Sequence, residues 1–337
     1  LFRGAEFKSI LAEEIGFKTG LAVTEERLRA IVEEIDPALW PPSDDLAASI
    51  RAEVYAEMFA GVLHRLGAGP PEMMVNPQWV VEQRNEDDPE RRATFHALEP
   101  RMNDLENYAL NRAWENAQWD FDPEAFLAAA EADHGEIGRE IAAQFIEALN
   151  IVLLQSPFHG GRQVAWSDIR DLDELFQSER LKSPHGDFFD QRFVDFLAAN
   201  FDDIDEINWR QFEGLAAEFF SRSGFAVELG PGRNDDGVDI RLWPSDVKPD
   251  ASKPAVTLVQ CKRELRKITK SVVKALWADV IHANAESGLI VTSSSFSPGA
   301  ERVRTARGYP INEASRESLR EWIHAMKTPG TGVFLGE

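Results

Sequence analysis

Two short segments toward the C-terminal end carry residue types that could act together. Asp236-Gly237-Val238-Asp239 leads into a β-like run from Val238 to Trp243, and Gln260-Cys261-Lys262 closes a second run from Ala255. Side chains alternate along a strand, so Gln260 and Lys262 share one face and Cys261 takes the other. With the two runs as neighbours, an acid on one strand meets an amide oxygen and a lysine on the next. Such a set can hold a divalent cation beside a positioned water, one way to hydrolyse a phosphodiester. Asp239 is preferred over Asp235 and Asp236 because it belongs to the β-run and they belong to the glycine-rich turn. Cys261 reads as a small core residue without chemistry.

These residues need a scaffold, and the sequence around them supplies one. Phe212 to Ser223 reads as a helix with Phe212, Leu215, Ala216, Phe219 and Phe220 on one side, and Gly224 stops it. A strand over Phe225–Leu229, the glycine-rich turn and the two β-runs follow. Then come a helix over Ile268–Asn284, a buried strand over Gly288–Thr292, and a helix capped by Ser297-Pro298. A short strand over Tyr309–Ile311 and a helix over Ser315–Met326 close the order α-β-β-β-α-β-α-β-α. Strands alternating with helices predict a mixed central sheet flanked by helices.

This order and these residues resemble the Mrr-type restriction endonucleases of the PD-(D/E)xK nuclease superfamily. The resemblance covers roughly residues 207–327. It rests on Phe212-Glu213, Gly224-Phe225, Gly232 through Asp239, Val259 through Arg263, Ile290 through Ser293, and Phe296 through Ala300. It implies that Asp239 is the central metal-binding acid and that Gln260 supplies an amide oxygen where most of the superfamily has Glu or Asp. It also implies that Lys262 orients or deprotonates the attacking water, and that Glu213 completes the site from the first helix. Mg²⁺ is the implied cofactor, with Mn²⁺ as a substitute, and DNA is the implied substrate in restriction or defence. One metal or two remain open, as do a junction-resolving or RNA-cutting nuclease and a non-catalytic nucleic-acid-binding module.

A basic stretch follows the lysine. Arg263, Arg266, Lys267, Lys270 and Lys274 are the candidate DNA contacts, with Lys267, Lys270 and Lys274 spaced to share one helix face. Arg302, Arg304 and Arg307 form a second set, and Ser293-Ser294-Ser295 could donate to phosphate.

The other half of the chain offers less chemistry. Of 36 basic and 58 acidic residues, 18 and 16 fall in residues 208–337, leaving net −24 for residues 1–207. A polyanion is a poor ligand for that half. We therefore expect a boundary near 205, dividing an acidic, mostly helical regulatory or interaction region from a nuclease domain over 206–337. Its task would be protein contact, self-association or sensing. Helices are expected over Thr24–Asp36, Asp44–Leu66, Leu98–Trp119, Ile137–Leu154 and Asp190–Phe201, with Asn76–Arg92 irregular. His159-Gly160-Gly161-Arg162 matches no phosphate loop, the histidines lack metal-ligand spacing, and the tryptophans read as core. The 337 residues are 43% hydrophobic, enough for sizeable cores, yet contain no run of about 18 apolar residues that would span a membrane. One cysteine excludes an internal disulfide, and no signal-like apolar segment opens the chain, so the expected setting is the cytoplasm.

Overall fold

A computed structural model describes residues 2–114, 121–157, 166, 168–232, 237–247 and 253–327. The chain divides into two compact units, Leu1–Arg170 and Asp171–Thr328.

The first unit is built on helices α1 (Gly4–Thr19), α2 (Glu25–Ile35), α3 (Ala52–Arg65), α4 (Pro77–Asn85), α5 (Pro89–Trp114) and α6 (Pro123–Gln155). Thr24 caps α2 by accepting from the Arg27 amide, as the sequence predicts. Three expectations need correction. Asp44–Ser49 is not helical, because Ala47–Ala48 pairs antiparallel with Phe2–Arg3 and holds the chain extended until Ala52. Asn76–Arg92 is not irregular: Asn76 caps α4 through the Trp79 amide, Pro77 takes the first turn, and α5 starts at Pro89. Polar composition hid two helices whose start signals were present. Trp79 is 59% exposed, so it is not core. The His159–Arg162 segment and Trp119 lie outside the described residues. His64 meets the Gly69 carbonyl at 3.0 Å, an end-of-helix contact.

The second unit begins with α7 (Glu174–Gln177), α8 (Gln191–Ala199) and the short 3₁₀ turn Phe201–Asp205. Then come α9 (Trp209–Arg222), β1 (Phe225–Leu229), β2 (Ile240–Pro244), β3 (Thr257–Lys262), α10 (Lys270–His282), β4 (Ser287–Thr292), α11 (Pro298–Arg307), β5 (Ile311–Ala314) and α12 (Arg316–Met326). From α9 onward this is the order read from sequence. The five strands form one sheet in the order β1-β2-β3-β4-β5. The β1/β2 and β2/β3 pairs are antiparallel, and β3/β4 and β4/β5 are parallel. Leu258, Ile290 and Ile311 from the sheet join Val273, Leu276 and Val280 of α10 and Ala300 of α11 in one apolar cluster. This is the helix-covered face that a parallel crossover requires.

The compact unit starts at Asp171, earlier than the charge shift near 205. Residues between these points are tied in by directed bonds. Glu218 of α9 accepts from the Phe188 and Phe189 amides at 2.7 and 3.2 Å. Gln211 donates to the Ser178 and Arg180 carbonyls, and Gln191 to that of Met326. Charge reports a surface, whereas these bonds report what folds together. Counted over Asp171–Thr328 there are 21 basic and 26 acidic residues, net −5, so any attraction for a polyanion must be local.

Candidate active site

The site forms where the backbone entering β2 runs beside β3 under the start of α9. Ile240 pairs with Val259, and the Asp239 amide continues that ladder by donating to the Val259 carbonyl at 2.9 Å. Extending the register by one sets Asp239 opposite Gln260. The Asp239 carboxylate accepts from the Cys261 amide at 2.6 Å, so it sits against the backbone between Gln260 and Lys262. Asp239 is 8% exposed, Gln260 7% and Glu213 6%.

Gln260 donates through Nε2 to the Gly237 carbonyl at 2.8 Å, which fixes the amide with Oε1 on the other side. That Oε1 is buried and has no hydrogen-bond partner among the described residues. A buried amide oxygen without a donor is costly, and its retention calls for a reason. Gly237 has φ +84°, and a Cβ there would sit 3.1 Å from Gln260 Nε2, so the close approach favours glycine.

Glu213 enters from the second turn of α9. Burial raises its pKa to about 7; the Arg210 hydrogen bond opposes this, and the charge of Asp239 and a hydrogen bond shared with it push further up. Two carboxyl groups so close cannot both ionise cheaply without a cation. Arg210 Nη1 donates to Glu213 at 2.6 Å and Nη2 to the Gly230 carbonyl at 2.7 Å. Gly232, with φ +81°, lets the turn lie against Arg210, since a Cβ there would fall 2.9 Å from Nη1. Arg210 was missed in the sequence reading. Its i, i+3 spacing to Glu213 was the available signal.

Lys262 ends β3 on the same strand face as Gln260, and its ammonium forms no hydrogen bond or ion pair with any described residue. Cys261 is half-buried, not core as its sequence suggests, and burial, then the charge of Asp239, push its thiol well up. Asp235 and Asp236 lie outside the described residues. Among the described residues no group of three His, Cys, Asp or Glu side chains is arranged for a metal. The set here is two carboxylates and one amide oxygen. Those oxygens, the orphaned Oε1 among them, suit a hard divalent cation that keeps several waters.

The basic residues divide. Arg263 donates to the Asp205 carbonyl and its Nε is buried without a partner, so it braces the 3₁₀ turn. Arg266, Lys267, Lys270 and Lys274 are exposed. Lys267 does not share the helix face: Thr269 is the extended N-cap residue of α10, and Ile268 is held by bonds to Ser295 and Ser297. Only Lys270 and Lys274 align at i, i+4. Arg304 is paired with Glu301, Arg302 with the Pro298 carbonyl and Arg307 with the Tyr309 hydroxyl.

Residues 204–323 match the Mrr_cat restriction endonuclease family model, so this stretch is a restriction-endonuclease-like domain. An uncharacterized protein, y4cE, of Sinorhizobium fredii (strain NBRC 101917 / NGR234) is 29% identical over 126 residues. That alignment covers 36% of this chain and 31% of the relative, so the chain spans about a third of that protein. The solved MspJI restriction endonuclease in complex with a 27-mer oligonucleotide is 17% identical, over 55% of this chain and 42% of that one. Its TM-score of 0.26 is too low to carry an argument. Among the described residues no helix is long and apolar enough to cross a membrane.

Proposed function

We propose that the second unit hydrolyses DNA phosphodiesters with a divalent cation, Mg²⁺ by preference and Mn²⁺ in substitution. The observation that carries this reading is the buried Gln260 Oε1, without a partner among the described residues, on the residue opposite Asp239, whose carboxyl is coupled to that of Glu213. Asp239, Glu213 and Gln260 would hold the cation, which when bound supplies Lewis-acid activation of water and charge neutralisation at the phosphate. Lys262, without an ion pair among the described residues, holds the attacking water or takes its proton and faces the charge that develops on the phosphoryl oxygens. Arg210 keeps Glu213 aimed at Asp239. The Cys261 amide fixes the Asp239 carboxylate.

The setting we favour is restriction of foreign DNA in the cytoplasm, with the acidic first unit restraining the nuclease or recruiting a partner. Its composition argues for a protein or signal ligand over DNA. The test is incubation of the full chain with plasmid, single-stranded DNA and RNA, each with Mg²⁺, Mn²⁺ or EDTA. Metal-dependent nicking of plasmid supports the reading, and cleavage of RNA alone replaces it with an RNA nuclease. A chain starting at Asp171 that cuts no faster than the full chain would remove the restraining role.

A further inference from the structure

Three residues past Lys262, Leu265 is 82% exposed, far above the 39% of Phe225 and the 60% of Ile281 in the same unit. It does not sit on a slack loop. The Glu264 amide donates to Ser293 Oγ at 3.1 Å, and that hydroxyl donates to the Glu264 carbonyl at 3.3 Å. Ser294 Oγ reaches the Leu265 carbonyl at 3.5 Å, the Ile268 amide bonds the Ser295 carbonyl, and Arg263 grips the Asp205 carbonyl. Residues 263–268 are thus laced along the segment after β4, and the lacing holds an apolar side chain outward beside the site. Arg266, Lys267 and Lys270 follow it, all exposed, and the Glu264 carboxylate comes just before it. Beside Leu265 lies an open groove of about 500 Å³, lined also by the serines at 293–295 and 315, by Arg316, and by the acids Asp205 and Glu317; Arg316 pairs with Asp205 at 2.6 Å.

We propose that Leu265 is a wedge that enters duplex DNA next to the scissile phosphate and unstacks one base step, while Arg266 and Lys267 engage the flanking phosphates. The inference rests on the nuclease reading above. An isolated exposed leucine needs no explanation, but one fixed by its neighbours and followed by exposed cations on one side matches a polyanion with an apolar interior. Inserted apolar side chains partly unstack and kink a duplex. In this protein the kink would open the backbone toward Lys262. The serine hydroxyls line the place where the displaced strand would run.

The test uses the full chain and duplexes carrying a fluorescent adenine analogue at successive positions, in EDTA so that no strand is cut. Wild type is expected to raise the fluorescence at one step. Leu265→Ala should lose that rise and bind about tenfold more weakly, as expected for one leucine no longer buried, while Leu265→Met keeps most of both. Because Leu265 is exposed, the unfolding midpoint should not move, which separates this from misfolding. Binding by wild type with no fluorescence rise at any position, or an undiminished rise in Leu265→Ala, overturns the wedge and leaves the nuclease reading standing. Sedimentation on the same samples decides the other occupant: loss of self-association in Leu265→Ala, with DNA unstacking unchanged, would make the leucine a contact between copies. If wild type neither binds nor cuts DNA, both readings fall.

Discussion

Two clusters of buried charge lie within the second unit and resolve their charge in opposite ways. Around α8, the Arg192 and Asp190 side chains are 1% and 0% exposed and pair at 2.9 Å. Asp190 also accepts from the Arg192 amide, Arg192 Nε and Ser183 Oγ, so both its oxygens have donors. Around Asp239, Arg210 serves Glu213, Glu213 is driven up to about 7, and Gln260 Oε1 has no hydrogen-bond partner among the described residues. The first cluster closes on itself and holds the fold. The second leaves coordination open, as expected where a ligand completes the structure.

Substitutions at the two clusters should have opposite consequences for cleavage and for stability. Asp239→Ala and Lys262→Ala should each slow single-turnover plasmid cleavage by about 10²–10⁴-fold, the range for removal of a proton-transfer group or charge stabiliser. Their unfolding midpoints should stay near wild type, and retention of near-wild-type rates in either would remove that residue from the chemistry. At the closed cluster the pattern reverses. Asp190→Ala takes the carboxylate partner from a buried guanidinium and should cost about 3–5 kcal/mol in chemical denaturation, with cleavage by the folded fraction unchanged. A mild loss there would mean that the pair is not the anchor its burial suggests.

A cation should stabilise the open cluster alone. At a hundred times its dissociation constant it adds about 2.7 kcal/mol, visible as an upward melting shift that EDTA reverses and that Asp239→Ala abolishes. An equal shift in that variant would place the ion elsewhere. The pH dependence is smaller and has a defined sign. Glu213 titrates near 7 in the metal-free fold against 4.5 normally, so the native state binds the extra proton. Its contribution is full below the unfolded value and is lost as pH rises through about 7. Metal-free wild type should therefore lose stability across that window more steeply than Glu213→Gln, and parallel curves would deny the raised pKa. The smallest effect concerns Lys270 and Lys274. Neutralising both should lower the log–log salt slope of DNA binding by about one unit for each phosphate no longer engaged; an unchanged slope would mark a solvated face.

What the sequence made legible follows from how local each signal is. The order from α9 to α12 was readable because each element carries its own period and stop, such as Gly224 after α9 and Ser297-Pro298 before α11. The parity of Gln260 and Lys262 was readable for the same reason. Arg210 was hidden, since its role comes from a turn at Gly230 twenty residues away. Arg263 looked like a phosphate contact because its bond to the Asp205 carbonyl is tertiary. The shared face of Lys267, Lys270 and Lys274 assumed a helix from Ile268, whereas pairing with the segment near Phe296 delays its start to Lys270. The edge at Asp171 was invisible to charge because Glu218 and Gln211 fasten it through backbone groups.

If Asp239, Glu213 and Gln260 form one cation site, calorimetric titration of Mn²⁺ into the metal-free full chain near pH 8 should show it. Saturable binding is expected in wild type, lost in Asp239→Ala, weakened in Gln260→Ala and unaffected in Asp190→Ala where that variant remains folded. Equal binding by wild type and Asp239→Ala would rule the shared site out.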